Sequence, residues 1–256
     1  MATLSAAERA KRRAAEAEFF NSHAHDIGAF NPFTDRGWGT LARCFEKVLP
    51  HRQPLKLLDV GCGTGHSRQL YIKHCSSYTG IDLSSAELAL ARQSFPQDEF
   101  IEADACEMPF ADASFDAVCF SSVLHHIPEM RVALQQAFRV LRPGGLVFAY
   151  DPNVYHPAMA LFRHPKSPLY SAKGVSPNEK PLKPRSIHKL LVECGYGNIR
   201  QWCQSNIPYR RVDIQSISSF LGIFNAIDWF WQLAGPGYFF GTFIISSAIR
   251  PSTKER

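Results

Sequence analysis

From residue 55 onward, short apolar runs alternate with longer amphipathic segments, and few folds accommodate that rhythm. The runs are Leu55 to Val60, Tyr78 to Leu83, Glu99 to Ala103, Phe115 to Ser121 and Leu146 to Tyr150, each fit for a strand buried on both faces. Between them, Gly65 to His74, Ser84 to Ser94 and Glu129 to Leu141 carry helical spacing. The alternation predicts an α/β fold, a parallel sheet with crossover helices. Ser84 or Ser85 is a natural N-cap, Glu87 suits the first turn of its helix, and Pro143-Gly144-Gly145 predicts a turn before the fifth strand.

Prolines at 152, 157, 165, 168, 177, 181 and 184 break the rhythm, so an irregular insertion of about residues 152–184 is expected to leave the fifth strand. Ser186 to Cys194 then predicts a helix stopped by Gly195, Asn198 to Gln204 a sixth strand, and Tyr238 to Ile249 a seventh. Residues 5–18 (SAAERAKRRAAEAE) read as a solvated helix with Glu8 four residues before Arg12, and nothing there has the apolar core of a signal peptide. Ile217 to Ala234 is rich in aromatic residues, but Asn225, Asp228 and Gln232 interrupt it and Gly235-Pro236-Gly237 parts it from the next apolar run. A buried or pocket-lining helix followed by a core strand is expected, the alternative being a face for an apolar substrate or a membrane.

A net charge of +5 is too small to demand nucleic acid. Seven cysteines without a CxxC pair or a Cys/His finger spacing argue against structural zinc and suit a reducing, cytoplasmic setting, with membrane association left open.

The chemistry concentrates at strand ends. Leu57-Leu58-Asp59-Val60-Gly61-Cys62-Gly63-Thr64-Gly65 is a strand running into a glycine turn, where glycines adopt φ > 0 and let backbone approach a ligand. A dinucleotide fingerprint would place a small residue at position 66, where this chain has His66. Asp82, twenty-one residues after Gly61, is placed to accept hydrogen bonds from two ribose hydroxyls. In Ala103-Asp104-Ala105 a carboxylate between small neighbours suits an adenine amino group. All three signals fall at strand C-terminal ends, the ligand side of open α/β sheets.

LLDVGCGTG, GIDLS, EADACEMPFADASFDAVCFSSVLHHI and LRPGGLVFA, in order through about residues 55 to 151, resemble the motifs of class I S-adenosylmethionine (SAM)-dependent methyltransferases of the type 11 group. The resemblance implies a Rossmann-like sheet of seven strands, mostly parallel, with helices on both faces and the last strand antiparallel. It implies SAM as cofactor, with Asp59, Gly61, Cys62 and Gly63 around its methionine part, Asp82 on the ribose, and Leu83 on one adenine face. Asp104 and Ala105 are then expected on the adenine edge, and Ser121 beside the methionine. It further divides the chain into an N-terminal helical lid, 1–54, and a methyltransferase domain, 55–256.

Methyl transfer from a sulfonium is a direct displacement that needs alignment and a dry pocket and no metal. A hydroxyl acceptor adds a role for a general base, and His125 is the candidate, ahead of His126, Asp151, Tyr155 and His156. The expected activity is methylation of a small organic or lipid-linked acceptor, most readily on oxygen. A tRNA-modifying methyltransferase, a non-catalytic scaffold on the same fold, and a nicotinamide-dependent oxidoreductase are the alternatives, the last disfavoured by His66.

Overall fold

In the computed structural model, residues 5–28, 33–49, 54–157, 160, 166–167, 175–208, 221–233 and 237–252 are described. Helix α1 (Ala6–Gly28) is followed by α2 (Asp35–Glu46), β1 (Leu55–Val60), a short α3 (Arg68–Tyr71), β2 (Cys75–Asp82), α4 (Ser85–Ser94), β3 (Glu99–Glu102) and β4 (Phe115–Ser121). Then come α5 (Met130–Val140), β5 (Leu141–Pro152), α6 (Pro184–Glu193), β6 (Gly197–Gln204), α7 (Leu221–Leu233), a short α8 (Gly237–Phe240) and β7 (Phe243–Ile249). The strands form one sheet in the order β3-β2-β1-β4-β5-β7-β6. Pairing is parallel from β3 to β5, and β7 runs antiparallel to both β5 and β6, giving the Rossmann-like arrangement with its last strand reversed.

The sheet divides two cores, and the period-two alternation of strands assigns each residue to one. Leu58, Val60, Val118, Phe120, Val147 and Ala149 face the layer of α5 and α6. Leu57, Ala117, Cys119, Leu146, Phe148 and Tyr150 face the other layer, where Trp38, Leu41 and Phe45 of α2 meet Tyr71. Phe45 lies edge-on to Tyr71 and Phe148, with ring centroids 4.9 and 5.2 Å apart. No apolar run announces α2, yet its buried residues recur at helical spacing and Thr34 accepts from the Gly37 N–H at its N-terminus. α2 is therefore part of the main core.

Several local expectations need correction. Gly65 to His74 is only partly helical, as α3 followed by a 3-10 turn over Ile72–His74. Pro143-Gly144-Gly145 does not precede β5 but lies within it: Leu141 pairs with Phe115 and Leu146 with Ala117, so the extra residues bulge out, with Gly144 at φ 81°. Tyr238 to Phe240 belongs to α8, and the last strand starts at Phe243. Glu8 closes a capping box, accepting from the Ser5 N–H at 3.3 Å while its own N–H donates to the Ser5 hydroxyl at 3.2 Å. Ser84 caps α4 as its spacing suggests, its hydroxyl accepting from the Glu87 N–H. In the insertion, residues 158–159, 161–165 and 168–174 lie outside the described residues, as do residues 217–220.

Candidate active site

The glycine turn follows β1 at the C-terminal edge of the sheet. Gly61, Gly63 and Gly65 adopt φ of 68°, 51° and 82°. A Cβ on Gly61 would lie 2.3 Å from the Val123 side chain, so position 61 excludes every other residue on two counts. That contact also sets the turn after β4, Leu124–His126, against the glycine turn.

Asp82, at the end of β2, ties the turn down: Gly63 N–H donates to Oδ2 and Ser84 N–H to Oδ1, both at 2.9 Å. The Leu83 N–H also acts on this carboxylate, which keeps lone-pair capacity for a further donor. Burial raises Asp82 above the usual carboxylate range against those N–H bonds. Half-buried Leu83 follows it. Beyond β3, Asp104 accepts from the Cys106 N–H at 2.9 Å and from Arg13 Nη1 of α1 at 2.6 Å, and Ala105 is buried beside it.

Three of the residues named for the methionine end point inward. Asp59 is fully buried and accepts from the hydroxyls of Ser67 (2.6 Å), Tyr78 (2.7 Å) and Ser121 (2.6 Å). Ser121 spends its proton on Asp59 and so accepts from Tyr71, 2.8 Å away. Cys62 is buried with its sulfur against Gly80. These side chains brace the turn from below.

Glu87 is a participant that sequence reasoning treated only as a helix-end charge. It is 5% exposed, with Oε2 3.2 Å from where a Cβ on Gly63 would stand. Burial, then the Asp82 charge, push its carboxyl up to about 8, and burial pushes Asp59 to about 6 despite its three hydroxyl donors. Between pH ~4.5 and 8 the unfolded chain has therefore lost a proton that folded Glu87 retains, and stability falls as pH rises through that window. Glu87→Gln is expected to raise the melting temperature of the cofactor-free protein by several degrees at pH 8 and little at pH 5. Scanning calorimetry at both pH values checks this; an equal shift at both would remove the titration as its cause.

After β4, His125 is 7% exposed and its Nδ1 lies 2.9 Å from Oδ1 of Asp151 on β5, a residue with no exposed surface. The same oxygen accepts from the His125 N–H at 3.2 Å. Burial raises the Asp151 carboxyl well above its usual range, and its Oδ2 has no hydrogen-bond partner among the described residues. When Asp151 is ionised and accepts from an Nδ1–H, the imidazole carries its lone pair on Nε2, the state a general base requires. His126 meets a different carboxylate, Glu16 of α1, at 2.9 Å. Tyr155 is exposed and His156 is fully buried beside Asp228, where burial lowers its ring to about 4. The structure thus pairs His125 with Asp151 and His156 with Asp228.

The group fits a cationic nucleoside: a turn no Cβ can fill, strand-end carboxylates for ribose and base, and buried acids, Asp59 and Glu87, close under the turn. Comparison with known proteins agrees. Residues 58–149 match the family model described as a methyltransferase domain. The chain is 34% identical over 101 residues to malonyl-[acyl-carrier protein] O-methyltransferase of Pectobacterium atrosepticum, covering 39% of this chain and 40% of that one. It is 35% identical over 123 residues to demethylmenaquinone methyltransferase of Chlorobaculum parvum, covering 47% and 51%. The chain spans about half or less of the length of these relatives. Phosphoethanolamine N-methyltransferase 2 of Haemonchus contortus, solved with SAM, superimposes with a TM-score of 0.66 at 20% identity, over 92% of this chain and 60% of that one, a likeness of fold. Sheet order and glycine turn, with the family match over residues 58–149, support a class I SAM-dependent methyltransferase domain in this chain.

Proposed function

We propose that this chain methylates an oxygen of a small organic or lipid-linked acceptor, with SAM as donor and His125 as general base. The carrying observation is the buried His125–Asp151 pair, set by the Val123 contact at the rim of the glycine turn. SAM, when bound, supplies an electrophilic methyl group. The glycine turn would hold its methionine part and Asp82 its ribose, Leu83 would cover one face of the base, and Asp104 with Ala105 would meet its edge. Asp151 keeps the proton of His125 on Nδ1, and Nε2 receives the proton of the acceptor hydroxyl. α1 covers the cleft, joined to it by the Arg13–Asp104 ion pair and by Asn21, which accepts from the Ser84 hydroxyl at 2.9 Å and the Ala86 N–H at 3.1 Å.

An apolar acceptor is supported by the surface beside the pair. Asn153, two residues beyond Asp151, donates to the backbone carbonyl of Phe239 at 3.1 Å, and Phe239 is 68% exposed. Leu233 is 66%, Phe230 57% and Trp229 51% exposed on α7, which packs against α8. So much exposed aromatic surface suits an acyl or prenyl chain better than a free metabolite. Among the described residues no helix is long and apolar enough to cross a membrane. The two curated relatives are named for malonyl-[acyl-carrier protein] and demethylmenaquinone, which suggests carrier-bound and quinone-type acceptors to screen.

Calorimetry with S-adenosylhomocysteine (SAH) and with NADH tests the cofactor assignment. Micromolar binding of SAH alone is expected; binding of NADH, or of neither, overturns it.

A further inference from the structure

α1 is charged along its length and largely exposed, yet one of its acids is buried: Glu16 is 5% exposed. Its carboxylate accepts from the Ser176 hydroxyl and from the Asn178 N–H, the latter at 3.0 Å, and its Oε1 lies 2.9 Å from His126 Nδ1. Ser176 donates to Glu16, so its oxygen, 2.8 Å from the same ring nitrogen, is free to accept the remaining share of a His126 Nδ1–H. Burial opposes the charge on Glu16, but the bonds from His126, Ser176 and Asn178 outweigh it and hold the acid below its usual range. Phe20, one turn further along α1, packs edge-on to the His126 ring with centroids 5.4 Å apart. The His126 and His125 rings are themselves 4.0 Å apart. Two neighbouring histidines are thus each oriented by a buried carboxylate, one from β5 and one from the helix that covers the cleft.

We propose that Glu16 is a positioning residue: it fixes the His126 imidazole from α1, so that the acceptor side of the site is fully ordered only when that helix is docked. The proposal rests on the methyltransferase reading for its meaning, but its geometry can be tested without an acceptor. With Nδ1–H committed to Glu16 and Ser176, His126 presents Nε2 as an acceptor and packs against His125 in one orientation. Burial holds the His126 ring below an ordinary imidazole; His125 also opposes its protonated form, while the carboxyls of Glu16, Glu179, Asp82 and Asp151 favour it.

The test is a ¹⁵N NMR titration of the histidine rings in the full chain, wild type and Glu16→Gln, with and without SAH, together with amide hydrogen exchange along α1. In the wild type, His126 is expected as the Nδ1–H tautomer, titrating below an ordinary imidazole. Glu16→Gln removes the negative partner, so the His126 ring should titrate lower still, and α1 amides should exchange at least tenfold faster. The amide group of Gln cannot accept from all three donors at once, whereas Ser176→Ala removes one neutral partner and should leave the tautomer in place. An unchanged His126 titration and unchanged α1 exchange in Glu16→Gln would overturn the proposal. If that variant does not fold, the wild-type tautomer decides: Nε2–H at His126 overturns it and Nδ1–H supports it. SAH calorimetry separates the two readings, because loss of the cofactor assignment appears as no SAH binding by the wild type, whatever His126 does.

Discussion

Asp151→Asn is expected to lower turnover on a hydroxyl acceptor by about 10²- to 10⁴-fold while leaving SAH affinity within a few-fold of wild type. Asn has the shape of Asp, but an amide directed at His125 Nδ1 can donate, which favours the tautomer with its proton on Nε2. That tautomer has no lone pair left for the acceptor proton. His125→Ala should cost about as much, and the double variant little more than either single one, since the two residues act as a unit. The acidic limb of the pH–rate profile should vanish in both. Normal turnover in Asp151→Asn would leave alignment of the reactants as the only catalytic device and sink the general-base assignment.

The second large effect is on binding. Asp82→Ala should weaken SAH by more than tenfold, because each hydrogen bond lost to a carboxylate is worth about 1.5–3 kcal/mol and 1.4 kcal/mol is a factor of ten. The substitution also leaves the N–H groups of Gly63 and Ser84 without their acceptor, so the turn itself loosens. Asp82→Asn is the milder variant and should lose less. One amide oxygen can still serve one of the two N–H groups, but the NH₂ then faces the other donor, and neither orientation restores both. Calorimetry showing full affinity in either variant would remove Asp82 from the ribose.

How far the site was legible follows from sequence distance. The glycine turn, Asp82 and Asp104 stand at the ends of successive strands, and strand ends are visible as the close of apolar runs; residue type and position together point to a nucleoside. His125 was visible as a candidate for the same reason. Asp151 was visible as a further candidate but not as its orienting partner, since it lies 26 positions away on the neighbouring strand. Glu16 is harder still: 110 positions from His126, in a segment whose charge and alanine content describe a solvated helix, it carries no mark of burial. Tyr238 to Phe240 misled in the other direction, because aromatic residues suit a strand and a helical turn alike, and packing of α8 against α7 and β6 decides between them.

The sequence by itself determined the succession of strands and helices. Continuous apolar runs mark strands buried on both faces, and the glycines of the first turn allow only one kind of backbone there. Tertiary structure alone decided what the polar side chains do. Asp59, Cys62 and Ser121 sit in the motif but face the core, where burial and three hydroxyl donors commit Asp59 to holding the turn. Asp151 and Glu16 lie outside the glycine turn yet meet the two histidines at its rim. The physical reason is that apolar burial is a property of each residue and leaves a periodic trace, whereas a buried charge is tolerated only by partners that the fold brings from elsewhere in the chain.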